Sequence, residues 1–148
     1  MPIVAGQDRS REVKVLAGQV RVLVNTIETA AAAAANRARE RGADEAQVAR
    51  AAEQARARAV QRMSRAVDRG AACAGMDTED FFPISGHATR ARMEAADALA
   101  VCEACQVRAR CLALAVLTPA GRYGIWGGLV EGEIRQLRAA LAAEGVAG

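Results

Sequence analysis

At 148 residues the chain is about one domain's worth, which excludes two full enzyme domains and leaves one compact domain or a small domain with an extension. Its hydrophobic fraction of 52% is mostly small, because 37 residues are Ala and the only aromatics are Phe81, Phe82, Tyr123 and Trp126; thin helix packing is expected, not a thick mixed core. The formal charge of +3 divides into +5 over residues 1–70 and −2 over residues 71–148, too little to announce nucleic-acid binding, so partners have to be read from motifs.

No run of about 18 apolar residues lacks a charge, so no membrane span is expected. The N-terminus lacks the basic-then-apolar layout of a secretory signal. The expectation is a soluble cytoplasmic protein, where lasting structural disulfides are unusual, and the four cysteines become candidates for a metal or disulfide staple of a small core.

From Asp8 to about Arg69 the sequence is rich in Ala, Arg and Glu and free of Pro, a mixture of strong helix formers. Gly42 interrupts it, which predicts a helix from about Arg9 to Arg41, a glycine C-cap and a second helix from Asp44 to Arg69. On the first, Val13, Leu16, Val20, Leu23, Ile27, Ala30 and Ala34 follow a 3,4 spacing, a heptad seam that needs a partner. The second offers Val48, Ala52, Ala55, Ala59, Met63 and Ala66, mostly too small to bury much area, so the seam serves an intramolecular hairpin or self-association through residues 9–69, or is left on a frayed Ala-rich arm. Arg58, Arg62, Arg65 and Arg69 recur at i, i+4, i+7 and i+11 and line one face. Such a stripe is either a solvated face complementing the helix dipole or a row of phosphate contacts.

Residues 71–148 carry the chemistry. Helical pattern resumes over Thr89 to Ala104, with Met93, Ala96, Leu99 and Ala100 taken as inside, and over Val107 to Leu117, with Leu112, Leu114, Val116 and Leu117. Thr118 to Gly121 end it, Gly124-Ile-Trp-Gly-Gly128 is a turn whose glycines permit positive φ, and Glu131 to about Ala143 reads as a last helix with Ile134, Leu137 and Leu141 on one side. All four cysteines lie here, at Cys73 and in the triplet Cys102-x-x-Cys105-x5-Cys111. In a continuous helix Cys102 and Cys105 share a face while Cys111 lies roughly 240° past Cys105, so convergence needs a break near Gln106. Four thiolates make a soft, all-sulfur site, open at this level to an iron-sulfur cluster, to zinc or to redox thiols. His87, the only His, sits in a Gly-flanked loop and is not taken as a ligand.

Asp77-x3-Phe81-Phe-Pro83 after the first cysteine, then Cys102-x-x-Cys105-x-Val107-Arg-x-Arg110-Cys111-Leu112, then Gly124-Ile-Trp-Gly-Gly128 and a short helix, resemble the bacterial WhiB-like transcription regulators in order and spacing. The resemblance covers about residues 71–141. It implies a small all-α domain binding one 4Fe-4S cluster through Cys73, Cys102, Cys105 and Cys111. It further implies a cluster sensitive to oxygen and nitric oxide, action through region 4 of the principal sigma factor of RNA polymerase, and in some members DNA contact through a basic tail. Thiols left by cluster loss can pair as disulfides, and a reductase activity has been proposed for some members.

Two departures bear on function. Gln106 stands where the family usually has Pro, so the site itself has to hold the break. The last helix carries only Arg135 and Arg138 before an Ala-rich end, so the family's basic tail is absent and the N-terminal helices supply the only Arg-rich surface. Trp126 is either the anchor of a poor core or an interface anchor, and the resemblance puts Gly124, Trp126, Gly127, Gly128, Phe81 and Phe82 beside the cluster at the sigma contact. Phe81 and Phe82 are adjacent before Pro83, so one is expected to point outward. The reading is an all-α, non-enzymatic, cluster-binding regulator, with residues 1–70 as a helical extension and 71–148 as the cluster domain. Its rivals are a thiol-disulfide reductase using Cys102 and Cys105 and a zinc-stapled interaction module.

Overall fold

A computed structural model describes residues 4–146. Among these residues the chain is all-α, with six α-helices and, in place of any strand, one isolated antiparallel bridge between Trp126 and Leu129. Helix α1 spans Val4–Glu40 and α2 spans Glu45–Gly70, so the first helix begins five residues earlier than its periodicity suggested. The turn between them is closed by local chemistry. Gly42 takes φ 81°, its N–H donates to the Arg39 carbonyl at 2.9 Å, and the Ala43 N–H donates to the Ala38 carbonyl at 3.0 Å, the paired bonds of a Schellman motif. Asp44 then starts α2 in a capping box: its carboxylate accepts from the Gln47 N–H at 2.8 Å and the Gln47 side chain accepts from the Asp44 N–H at 2.9 Å.

The hairpin is therefore intramolecular, but its seam is shifted. Leu16, Val20, Val24, Ile27, Ala31, Ala34, Ala35 and Ala38 are buried, Leu23 is only half-buried and Ala30 is exposed. A strict heptad drifts by about 20° per repeat on a straight helix, and over this length the buried row has moved one residue on. On α2 the six anticipated positions are all buried or half-buried. The ion pair between Arg56 and Glu28, at 2.8 Å, ties the two helices beside this seam.

The second segment departs more. Instead of one helix over 89–104 there are two, α3 (Ala88–Glu94) and α4 (Ala96–Glu103), broken at Ala95. The buried row is Ala91, Ala95, Ala98, Leu99 and Cys102, while Ala96, Ala100 and Met93, which is 75% exposed, face outward. Small alanines permit close approach, and here the approach of Phe81, Ile125 and Val130 decides which face goes in. Helix α5 (Arg108–Leu117) follows a bend at 104–107, and α6 (Glu131–Ala143) buries Ile134, Leu137 and Leu141 as its pattern predicts. A second Schellman turn ends α6, with Gly145 at φ 74° and Val146 folded back under Leu141. Arg138 is spent on structure, donating to the carbonyls of Ala115 and Thr118 at the end of α5.

One core joins the two halves. Leu16, Val20, Val24, Ile27 and Met63 of the hairpin pack with Leu112, Leu129, Ile134, Leu137 and Leu141, several of them fully buried. The seam of α1 is satisfied by α2, α5 and α6 together, and α2 delivers the segment holding Cys73 to the bend at Cys105.

Candidate metal centre

Each cysteine is placed by a different local device. Cys73 lies in the turns after α2, where Gly75 takes φ 87° and the Met76 N–H donates to the Cys73 carbonyl at 3.0 Å. Cys102 is buried in the last turn of α4, Cys105 sits in the bend, and Cys111 occupies the first turn of α5. The break expected near Gln106 is present. It is held by Val107, whose side chain is buried against Gly70 at the end of α2; a Cβ added at Gly70 would lie 2.6 Å from Val107 Cγ1. All four are free thiols.

Their sulfurs line one cavity of about 40 Å³ with Val67, Ala71, Val101, Val107, Arg108 and Gly127. No His, Asp or Glu lines it, so the donor set is all sulfur. His87 instead stands exposed at the start of α3. Among the described residues no three His, Cys, Asp or Glu side chains close on a single-ion site. An all-sulfur donor set is compatible with an iron-sulfur cluster and with tetrahedral zinc alike.

Burial pushes the Cys111 thiol up to about 12, against the lowering effect of the Gly127 amide that faces it, and the neighbouring thiols add to the rise. Burial likewise raises Cys102, opposed by the Gly128 amide and the Arg108 charge. A bound cationic group that takes thiolate ligands reverses that preference outright.

The two amides come from one turn. Gly127 and Gly128, at φ 54° and 77°, are the positive-φ pair that a type I′ hairpin turn requires, and Trp126 and Leu129 pair across it with bonds of 3.2 and 3.0 Å. A Cβ on Gly127 would lie 2.4 Å from Leu112 Cγ and one on Gly128 2.6 Å from Arg108 Nη2, so only glycine fits this close to α5. The carbonyls of the turn are also held. Arg108 Nε donates to the Gly127 carbonyl at 2.8 Å and Arg9 Nη2 to the Gly128 carbonyl at 2.7 Å.

Around Gly124 lies an aromatic surface. Phe81 is half-buried against the smaller core of α3 and α4, while Phe82 is 50% exposed and its ring covers Gly124, so one of the pair does point outward. Trp126 is half-buried at the edge of the main core, its Nε1 donating to the Tyr123 carbonyl at 2.8 Å, and Tyr123 and Ile84 are exposed nearby in sequence. Arg58, Arg62, Arg65 and Arg69 are all exposed on α2. Arg9, Glu12 and Glu133 were not legible as site residues. Their only signal is charge on helices that otherwise look like solvated faces.

The family model for the transcription factor WhiB matches residues 68–137, from the end of α2 into α6. Transcriptional regulator WhiB of Streptomyces coelicolor is 47% identical over 70 residues, 47% of this chain and 72% of that relative. WhiB2 of Mycobacterium tuberculosis is 46% identical over 68 residues, 46% of this chain and 68% of the relative. WhiB2 of Mycolicibacterium smegmatis is also 46% identical over 68 residues, but there the match spans 47% of the relative. No solved structure matches the chain. With all four cysteines, the Gly-Ile-Trp-Gly-Gly turn and the first half of the closing helix inside the matched span, the chain belongs to the WhiB family of transcriptional regulators.

Proposed function

We propose that the chain holds one 4Fe-4S cluster through Cys73, Cys102, Cys105 and Cys111 and regulates transcription through region 4 of the principal sigma factor. The observation that carries the cluster is the cavity lined by all four cysteines and no other donor residue, with the Ala72 N–H donating to Cys105 Sγ at 3.5 Å. Such a cluster supplies redox chemistry, and sensitivity to oxygen or nitric oxide is the expected signal. The polypeptide contributes ligation, the Ala72 amide directed at Cys105 and exclusion of water by Val67, Val101 and Val107. Reductase chemistry is disfavoured because Cys102 and Cys105 span the end of α4 and the bend after it, not the strand-to-helix setting of a thioredoxin-like Cys-x-x-Cys.

Phe82, Tyr123 and Trp126 form the aromatic surface for the sigma contact. Residues 71–148 act as the cluster domain and 1–70 as an extension that covers it. DNA contact, if the protein makes any, falls to Arg58, Arg62, Arg65 and Arg69, because Arg138 is engaged with α5. Anaerobic purification with the visible spectrum and iron and sulfide content tests the reading: four irons and four sulfides per chain are expected, lost in Cys105→Ala. A protein with zinc alone, or a Cys105→Ala variant with full iron and sulfide, rejects it.

A further inference from the structure

The helix α1 lies outside the matched span yet reaches the cysteine cavity through charge. Arg108, which lines the cavity, pairs through Nη1 with Glu12 and leaves Nη2 buried without a partner. Arg9 donates to the Gly128 carbonyl at 2.7 Å and forms a fork on Glu133, with bonds of 2.8 and 3.3 Å. Glu133 is buried, accepts also from Arg92 at 2.9 Å, and takes the Val130 N–H at 3.2 Å. The result is a chain of charges running from α1 over both carbonyls of the Gly127–Gly128 turn to α3 and α6.

Buried charges are costly unless paired and hydrogen-bonded, and an ion pair with one partner removed leaves the other stranded. Without Glu12 the Arg108 side chain, 11% exposed, has no anion, and its natural response is to swing toward water and release Gly127. Without Arg9 the Gly128 carbonyl loses its donor and Glu133 keeps only Arg92 as a cationic partner, beside the Val130 N–H. Both losses fall on the one turn that closes the cavity beside Cys102 and Cys111. The S. coelicolor relative matches over 70 residues that make up 72% of its length, which leaves it fewer residues outside the match than the 67 that precede it here. That relative therefore has no room for a hairpin of this size.

We propose that Arg9 and Glu12 are positioning residues of the four-cysteine site, holding Arg108 and the Gly127–Gly128 turn closed over Cys102 and Cys111, so that the N-terminal hairpin is part of the site's wall. The proposal rests on the cysteine cavity being the cluster site, but its test does not require iron. In the reduced, cluster-free full chain, alkylation of each cysteine by iodoacetamide is followed by mass spectrometry. Glu12→Ala and Arg9→Ala are expected to raise labelling at Cys102 and Cys111 about tenfold relative to Cys73 and Cys105, the change in local opening expected for one lost hydrogen bond to a charged partner. Glu12→Gln, which retains an acceptor for Arg108, restores most of the protection.

Arg21→Ala is the control, since it removes another α1-to-C-terminal ion pair, Arg21 to Glu144 at 2.6 Å, away from the cavity; labelling is expected to stay at the wild-type pattern. Equal labelling in Glu12→Ala, Arg9→Ala and wild type overturns the proposal. So does a uniform rise at all four cysteines, matched by Arg21→Ala, which assigns the pairs to general stability. Failure of the wild-type protein to bind iron and sulfide counts against the cluster and leaves the labelling result intact, so the two readings fall separately.

Discussion

Gly127→Ala is the sharpest test of the turn. Two costs add. At φ 54° an alanine pays the left-handed penalty of about 1–2 kcal/mol, and its Cβ would stand 2.4 Å from Leu112 Cγ and 2.8 Å from the Arg108 carbonyl oxygen. The second contact is backbone in the first turn of α5 and cannot rotate away, while Leu112 is fully buried, so overpacking adds about 1–3 kcal/mol. The expected total is about 2–5 kcal/mol. Gly42→Ala isolates the first cost, because Gly42 has φ 81° with nothing within 4 Å of its added Cβ, and should lose only about 1–2 kcal/mol. Urea unfolding of the two reduced variants, followed by circular dichroism at 222 nm, measures the difference directly. Equal midpoints and slopes for Gly127→Ala and Gly42→Ala would refute the packing of this turn against α5.

Other outcomes follow from the same contacts. Leu112→Ala, at a fully buried position shared by the hairpin and α6, should destabilise by about 2–5 kcal/mol, and a loss below about 1 kcal/mol would speak against a joint core. Glu28 is held below its usual value by the hydrogen bond to Arg56, so its pair stabilises fully above the unfolded Glu pKa of about 4.3 and fades as pH falls through the lowered folded value. Arg56→Ala should therefore cost about 0.5 kcal/mol at pH 7 and progressively less as acid protonates Glu28, and a cost independent of pH in thermal melts would contradict the assignment. Replacing Arg58, Arg62, Arg65 and Arg69 by Ala in the full chain should weaken any DNA binding and flatten its salt dependence in an anisotropy titration, with no change expected in iron content. Trp126→Ala should reduce sigma region 4 co-purification by about 2 kcal/mol or more while iron and sulfide stay; joint loss of both would favour a core role for the ring, and retained binding would exclude it as an anchor.

Helix content, the Gly42 break, the last helix with Ile134, Leu137 and Leu141, and the glycine turn were legible because each depends on residues a few positions apart. Capping, propensity and positive φ are local, and so is the motif order that marks the family. Tertiary structure decided what the chain's distant parts settle between them. The buried row on α1 passes through Val24 and Ala31, not Leu23 and Ala30, because α5 and α6 also pack on it and a straight helix outruns the heptad. Met93 lies outside and Ala91 and Ala95 inside because alanine faces carry almost no hydrophobic contrast of their own, leaving the choice to Phe81, Ile125 and Val130. Four cysteines could be counted in the sequence, but the bonds that tie α1 to Arg108 and to the Gly127–Gly128 turn beside them could not. Arg9 meets Glu133 across 124 residues and Glu12 meets Arg108 across 96, and charges on a polar face give no sign of such a partner until the fold has removed both from water.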